Sequence, residues 1–347
     1  MEEKNIYVKK RIIYLDYFRG LIILLMIQGH LFRAMLYVEL KSGVWFSVHE
    51  FIHGVVAPGF LFLSGFLFYY STRNRSNIEI AKKIKSYAGV VLIGYFLHLP
   101  YFSLKKIVAQ WGSGSASRLL YMDILQTIGY SLIISALLII ISKRIFIPII
   151  FMLLIFDLAQ SFFGLGTDNF FFSFFFNQHI SQFPLFPWSI FFFMGIIVSR
   201  FIGKFNYPLF FLSLFLILTA PYFTGDFSKL ISDSGKLLAL FSLIMLIKHI
   251  PGNKTKLFLT ASKESLFLYV FHMMIIFGSI LNKGLTFYIK NGTGFLTTSL
   301  IFLIMISVIY PLSFLLNTIK NKRPATFKIL KYSSYAIFLA IFLLRKY

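Results

Sequence analysis

The sequence predicts an all-α fold, a polytopic membrane bundle of ten or eleven transmembrane helices with a cytoplasmic N-terminus. Hydrophobic residues make up 58% of its 347 residues and charged residues only 13%, whereas about 25% of residues are charged in soluble domains. Apolar runs of about 20 residues, long enough to cross a bilayer, recur along the chain. Lys and Arg gather between these runs, as they do in the loops that set membrane topology.

The first apolar run, near 13–36, is too long for a signal peptide and has no small-residue cleavage site, so we expect a retained helix. The other predicted spans lie near 51–70, 86–103, 121–141, 145–163, 187–203, 207–223, 236–250, 264–281 and 295–316. A short last run at 333–344 is either an eleventh span or an interfacial helix. We expect one integral-membrane domain over 1–347, with a motif-bearing core at about 12–282 and C-terminal helices at 283–347.

The basic residues predict the orientation of the chain. With the N-terminus inside, the inner segments carry about twice as many Lys and Arg as the outer ones, which is the bias of cytoplasmic loops. We therefore expect a multi-pass protein of a bacterial-type plasma (inner) membrane. The net charge of +22 does not indicate nucleic-acid binding, because no soluble segment combines basic residues with stacking aromatics. The lack of cysteine excludes disulfides, thiolate zinc sites and cysteine nucleophiles.

The first predicted helix carries a polar stripe. At about 100° per residue, Asp16, Arg19 and His30 fall near one face, with Arg19 and His30 roughly 16 Å apart along the axis. Charged residues inside a span are costly and by default mark function, although Asp16 and Arg19 could simply pair with each other. A neutral imidazole at the depth of His30 is suited to general-base catalysis.

A zinc motif appears before the second predicted span. His49-Glu50-x-x-His53 spells H-E-x-x-H, in which two histidines one helical turn apart share a zinc and the glutamate acts as base. A third protein ligand would be needed, and the candidates are Asp123, Asp157 and Asp168. None of these has the Asp-Gly setting of intramembrane metalloproteases, so we expect no metal. In the favoured interpretation His49 and His53 line the outer mouth of a cavity.

Five segments, in chain order, resemble known membrane acyltransferases. Asp16-x-x-Arg19-Gly20 followed by His30 has the R-x10-H spacing of the acyltransferase-3 group. Four further segments resemble the heparan-alpha-glucosaminide N-acetyltransferase-like family, namely His53–Gly65, Leu125–Gly129, Phe183–Trp188 and Ser265–His272. Together the five cover about 16–272.

The resemblance implies a transmembrane acyl transfer. A cytoplasmic acyl-CoA, usually acetyl-CoA, gives its acyl group to a sugar or glycan on the outer side of the membrane. Arg19 matches the motif arginine, and His30 matches its histidine. The heparan-directed enzymes place their catalytic histidine in the first outer loop, where this chain is apolar near Val44. The histidine role therefore rests on His30, or on His49 or His53.

The same resemblance suggests roles for further polar residues. Because coenzyme A is polyanionic and cannot cross the bilayer, we expect a donor site that includes Arg19, Asp16 and Gln126. Tyr269 and His272, and also Gln126, are candidates for orienting His30 or stabilising the oxyanion, and Trp188 for contacting the substrate. The expected partners are acyl-CoA, a sugar acceptor and the lipid bilayer, without nucleic acid. The sequence leaves the oligomeric state open, a dimer included.

Two other functions remain as alternatives. A transporter or lipid-linked glycan handler could use the same polar cavity without chemistry. Inverted internal repeats would favour that interpretation, and the sequence shows none. The intramembrane zinc metalloprotease is the less favoured alternative.

Overall fold

The computed structural model describes residues 12–99, 102–110, 119–163, 175–176, 181–201, 206–246 and 256–345. This part of the chain consists of helices joined by turns and loops and contains no β-strand, only two isolated bridges that join Leu36 to Thr293 and Gly278 to Lys283. The predicted all-α class is therefore confirmed.

The helices begin and end as follows. The first eight are α1 Ile13–Met35, α2 Gly43–His53, α3 Val56–Thr72, α4 Asn77–Leu97, α5 Leu104–Ala109, α6 Ile124–Ile141, α7 Phe146–Phe163 and α8 Leu185–Phe201, the last with a kink at Phe186. The others are α9 Asn206–Thr219, α10 Gly225–Leu246, α11 Lys256–Ala261, α12 Ser265–Phe277, α13 Leu285–Tyr288, α14 Phe295–Lys322 and α15 Pro324–Leu344.

A helix overlaps each predicted span. Within the described residues, seven helical stretches are long and apolar enough to cross a membrane: α1, α2 with α3, α6, α7, Phe258–Phe277, α14 and α15. The helices Leu185–Phe201 and Tyr207–Tyr222 are apolar but shorter, and α4 and α10 carry more charge along 21 and 22 residues. The last helix has 21 residues, so it is long enough to span. The polytopic architecture is confirmed, and the side on which the N-terminus lies stays a prediction.

Helix α1 runs through the middle of the bundle. Phe18, Ile23, Ile27 and Leu31 have no exposed surface, and α1 contacts α3, α10, α12 and α14. We call the end of the bundle where α1 begins the Asp16 end, and the opposite end, toward which α1 carries His30, the His30 end. The central helix thus places an acid near one end and an imidazole near the other.

Helices α3 and α8 pack with their backbones in contact. A Cβ atom at Gly65 would overlap the carbonyl of Phe192, and one at Gly195 would overlap the carbonyl of Phe62. Small residues permit this close approach between membrane helices. The pair fixes α3 against α8, and α3 in turn supplies Ser64 and Ser71 to the wall of a cavity at the Asp16 end.

We expect Gly195→Ala to destabilise the protein by about 1–3 kcal/mol, because backbone atoms rather than a flexible side chain must move. Gly89 in α4 has no atom within 4 Å of an added Cβ, so Gly89→Ala is the matched control. Removing a mid-helix glycine there should stabilise by up to about 1 kcal/mol. Thermal denaturation in detergent micelles measures both stability changes. Equal melting temperatures for the Gly195→Ala and Gly89→Ala variants would contradict the packing described.

Candidate functional site

Two histidines meet at the His30 end. The His30 Nδ1 atom in α1 lies 2.8 Å from the His272 Nε2 atom in α12, and the rings stack at 14° with centroids 5.1 Å apart. His272 Nδ1 lies 2.9 Å from the carbonyl oxygen of Leu268, one turn earlier in the same helix. The two histidines are 242 residues apart in sequence, and the fold brings them into direct contact.

The hydrogen-bond partners assign the tautomers of this pair. A carbonyl oxygen only accepts, so His272 Nδ1 carries the proton and, in the neutral ring, its Nε2 is an acceptor. His30 must then donate from Nδ1, and its own Nε2 keeps an unshared electron pair. The two hydrogen bonds, from His272 Nδ1 to the Leu268 carbonyl and from His30 Nδ1 to His272 Nε2, therefore leave His30 Nε2 free to act as a base.

A buried carboxylate lies beside the histidine pair. Asp123 immediately precedes α6, and its Oδ2 atom accepts a hydrogen bond from the Tyr269 hydroxyl at 2.7 Å and lies 2.7 Å from His98 Nε2. Tyr269 is three residues before His272 on α12, and their rings are 5.6 Å apart. The Tyr269 hydroxyl proton is engaged by Asp123, and the predicted role of Tyr269 in orienting His30 or stabilising the oxyanion stays a prediction.

Gln126 holds the start of α6. Its Oε1 accepts from the backbone N–H of Asp123 at 3.2 Å, and its Nε2 donates to the carbonyl of Tyr121 at 3.3 Å. Its side chain is fully buried. Gln126 thus lies at the His30 end and fixes the segment that carries Asp123. Its predicted roles in donor binding and in orienting His30 or stabilising the oxyanion stay predictions.

The H-E-x-x-H motif forms a stacked histidine pair in α2. The His49 and His53 rings are 4.0 Å apart, and His53 Nδ1 donates to the His49 carbonyl at 2.7 Å. The Nε2 atoms of both are buried without a hydrogen-bond partner. The His53 ring packs against Gly29, the residue before His30.

Glu50 and the candidate third ligands have other partners. Arg33 binds both oxygens of Glu50 at 2.8 Å, Asp123 is held by Tyr269 and His98, and Asp157 accepts from the Ser189 hydroxyl. Asp168 lies outside the described residues. No group of three or more His, Asp or Glu side chains that could hold a metal occurs in the described part.

The Asp16 end contains a large open cavity. It has a volume of about 650 Å³, and its polar lining consists of Asp16, Ser64, Tyr70, Ser71, Lys83, Tyr87 and Lys263. Lys83 Nζ donates to the Ser71 hydroxyl at 3.3 Å. Two lysines give the cavity positive charge, although neither was singled out in the sequence. The signal available was the cluster Lys82-Lys83-x-Lys85.

Arg19 pairs with Asp16. Its Nη1 atom lies 3.7 Å from Asp16 Oδ1, and both side chains are largely buried. Asp16 lines the cavity and Arg19 does not. The structure thus shows the ion pair, and the donor-binding role of Asp16 and Arg19 stays a prediction.

Trp188 lies in an aromatic cluster. Its ring centroid is 4.7 Å from that of Phe183 and 5.7 Å from that of Phe191. Its indole N–H is buried without a hydrogen-bond partner. The contacts of Trp188 are those of a packing residue, and its predicted contact with substrate stays a prediction.

The family model described as "Heparan-alpha-glucosaminide N-acetyltransferase, catalytic" matches residues 11–228, which is more than half of the chain. This match spans α1 with His30 and ends before α12 with His272. Neither the search of curated proteins nor that of solved structures finds a match to the chain. The chain belongs to the heparan-alpha-glucosaminide N-acetyltransferase catalytic family, a family of membrane acetyltransferases.

Proposed function

We propose that this protein transfers an acetyl group from acetyl-CoA, or an acyl group from another acyl-CoA, at the Asp16 end to a sugar or glycan at the His30 end. His30 is the general base in this proposal. The observation that carries it is the hydrogen-bond chain from Leu268 through His272, which leaves His30 Nε2 as a proton acceptor. Membership of an acetyltransferase family supports the type of reaction.

The donor binds in the cavity at the Asp16 end in this proposal. Coenzyme A carries several phosphate charges, and Lys83 and Lys263 supply the positive charge of the lining. Lysine binds phosphate as a point charge. From Asp16 to His30 is 14 residues along α1, or roughly 21 Å. The thioester stands at the end of a long flexible arm, so the nucleotide can stay near the lysines while the thioester reaches toward His30.

The chemical step needs one base and no metal in this proposal. The acceptor amine or hydroxyl attacks the thioester carbonyl and gives its proton to His30 Nε2. The C–S bond then breaks, and the CoA thiolate leaves and takes up the proton that His30 Nε2 received, which restores the neutral base. His272 is a positioning residue that holds the His30 ring by accepting from Nδ1. Asp123 and Tyr269 hold each other beside the pair, and Tyr269 in turn fixes α12.

The donor site is tested by removing one lysine charge. We expect Lys83→Ala to raise the KM for acetyl-CoA about threefold to fivefold with little change in kcat, since a partly solvated charge pair contributes about 1 kcal/mol at most. The adjacent Lys82 is exposed and does not line the cavity, so Lys82→Ala is the control.

The assay follows labelled acetyl transfer from acetyl-CoA to methyl glucosaminide in membranes containing each variant. Equal KM values for the Lys83 and Lys82 variants would contradict the donor site. A transporter that uses the same cavity would move label without forming an acetylated sugar, so the product separates that alternative.

A further inference from the structure

A second cavity lies at the His30 end, between α4, α12 and α15. Its volume is about 500 Å³, and most of its lining is apolar, including Phe96, Leu97, Val270, Met273, Phe277 and Phe338. Helix α15 forms one wall and has no buried residue, so in a membrane its outer face meets lipid. The cavity is therefore an apolar space at the edge of the bundle.

The cavity borders the candidate site at two residues, His98 and Phe277. His98 lines it, and His98 Nε2 lies 2.7 Å from Asp123 Oδ2. Phe277 also lines it, and the Phe277 ring contacts the His30 ring edge-on, with centroids 6.2 Å apart. The apolar space thus extends from the lipid-facing helix to Phe277, whose ring separates it from the His30 ring.

We propose that this cavity holds the hydrocarbon tail of a lipid-linked sugar, so that the acceptor is presented from within the membrane. This inference rests on the proposed function. The donor is placed at the Asp16 end, and an acetyl group has no chain that would occupy 500 Å³ of apolar space. The flexible Met273 and Met274 side chains adapt to an irregular apolar chain. The tail is isoprenoid or fatty acyl, since both are long flexible hydrocarbon chains.

Two adjacent serines on α15 provide matched variants. Both serines are exposed, but Ser334 lines the cavity and Ser333 does not. Ser334→Trp fills the cavity with an indole, and Ser333→Trp adds the same group to the same helix outside it. Neither residue belongs to the candidate catalytic groups, and α15 contributes nothing to the buried core.

The activity test compares methyl and octyl glucosaminide as acceptors in nanodiscs, with labelled acetyl-CoA as donor. In wild type and Ser333→Trp we expect a clear preference in kcat/KM for the octyl acceptor. In Ser334→Trp we expect that preference to fall at least tenfold, with kcat/KM for methyl glucosaminide unchanged within about twofold. Partition of the octyl acceptor into lipid is the same for all three proteins, so it cancels when the octyl preference of one protein is divided by that of another.

An unchanged octyl preference in Ser334→Trp would overturn the inference, while transfer to methyl glucosaminide would leave the proposed function standing. A selective loss of octanoyl-CoA use in Ser334→Trp would also overturn it, because the cavity would then serve the acyl chain of the donor. Farnesyl-linked and diacylglycerol-linked glucosamine, used as competitors, distinguish the two sources of tail.

A binding measurement tests, without catalysis, whether the cavity holds the hydrocarbon tail of the acceptor. An octyl glucosaminide with a diazirine in its chain should photolabel the peptide containing Met273 and Met274 in wild type and Ser333→Trp, and at least tenfold less in Ser334→Trp. Unlabelled octyl glucosaminide should compete, and excess phospholipid should not. Equal competition by phospholipid would show that the cavity holds bulk lipid and would contradict the inference.

Discussion

His30→Ala should lower the turnover of acetyl transfer by about 10²–10⁴-fold, the range contributed by a positioned general base. Its Nδ1 is held by His272 at 2.8 Å, so the ring is fixed with Nε2 as the acceptor for the proton of the nucleophile. The measurement is labelled acetyl transfer at saturating donor and acceptor, with kcat compared between variant and wild type.

The loss must be separated from unfolding, because removing the imidazole leaves a buried partner unsatisfied at a cost of about 1–3 kcal/mol. His30→Gln provides this control, since its side-chain amide can still donate to His272 Nε2 but has no basic nitrogen. We expect it to melt close to wild type and to be as inactive as His30→Ala. Wild-type turnover in a folded His30→Gln protein would move the catalytic role to His49 or His53.

His272→Leu should lower kcat by roughly 10-fold to 10³-fold, less than the loss of the base itself. Leucine cannot accept the hydrogen bond from His30 Nδ1, so the His30 ring loses both its fixed orientation and its fixed tautomer. The KM for acetyl-CoA should change little, because the donor cavity lies at the other end of α1. Steady-state kinetics with each substrate varied in turn measures the two constants.

His272→Gln separates a positioning role from a structural one. The glutamine carbonyl oxygen can accept from His30 Nδ1, so we expect this variant to recover at least tenfold of the kcat that His272→Leu loses. If both variants lost kcat equally while melting like wild type, the hydrogen bond between the two histidines would not position the base.

The helical spans and the position of His30 along α1 were predictable because they depend on local properties. Hydrophobic length predicts a membrane helix whatever packs against it, and 1.5 Å per residue then places His30 along α1. The contact of Gln126 with the start of α6 was also predictable, since Asp123 and Gln126 have the spacing of a capping box. That signal favours a bond to the local backbone over a role in donor binding.

The contacts between helices were not predictable in the same way. His30 and His272 are 242 residues apart, and Asp123 and Tyr269 are 146 residues apart. Membrane helices are apolar on every side, so the periodicity that reveals a buried face in soluble helices is weak here. Asp123 therefore appeared only as a zinc-ligand candidate, and His98 was not identified. Only the packed bundle shows that these residues share one site.

We propose that acetyl crosses from a donor at one end of the bundle to an acceptor at the other. Sealed proteoliposomes, with methyl glucosaminide trapped inside and labelled acetyl-CoA added outside, test this claim. We expect labelled N-acetyl product in the lumen, while labelled acetyl-CoA itself stays outside, and none in vesicles carrying His30→Gln. Labelled product that forms only when donor and acceptor share one side of the membrane would contradict the claim.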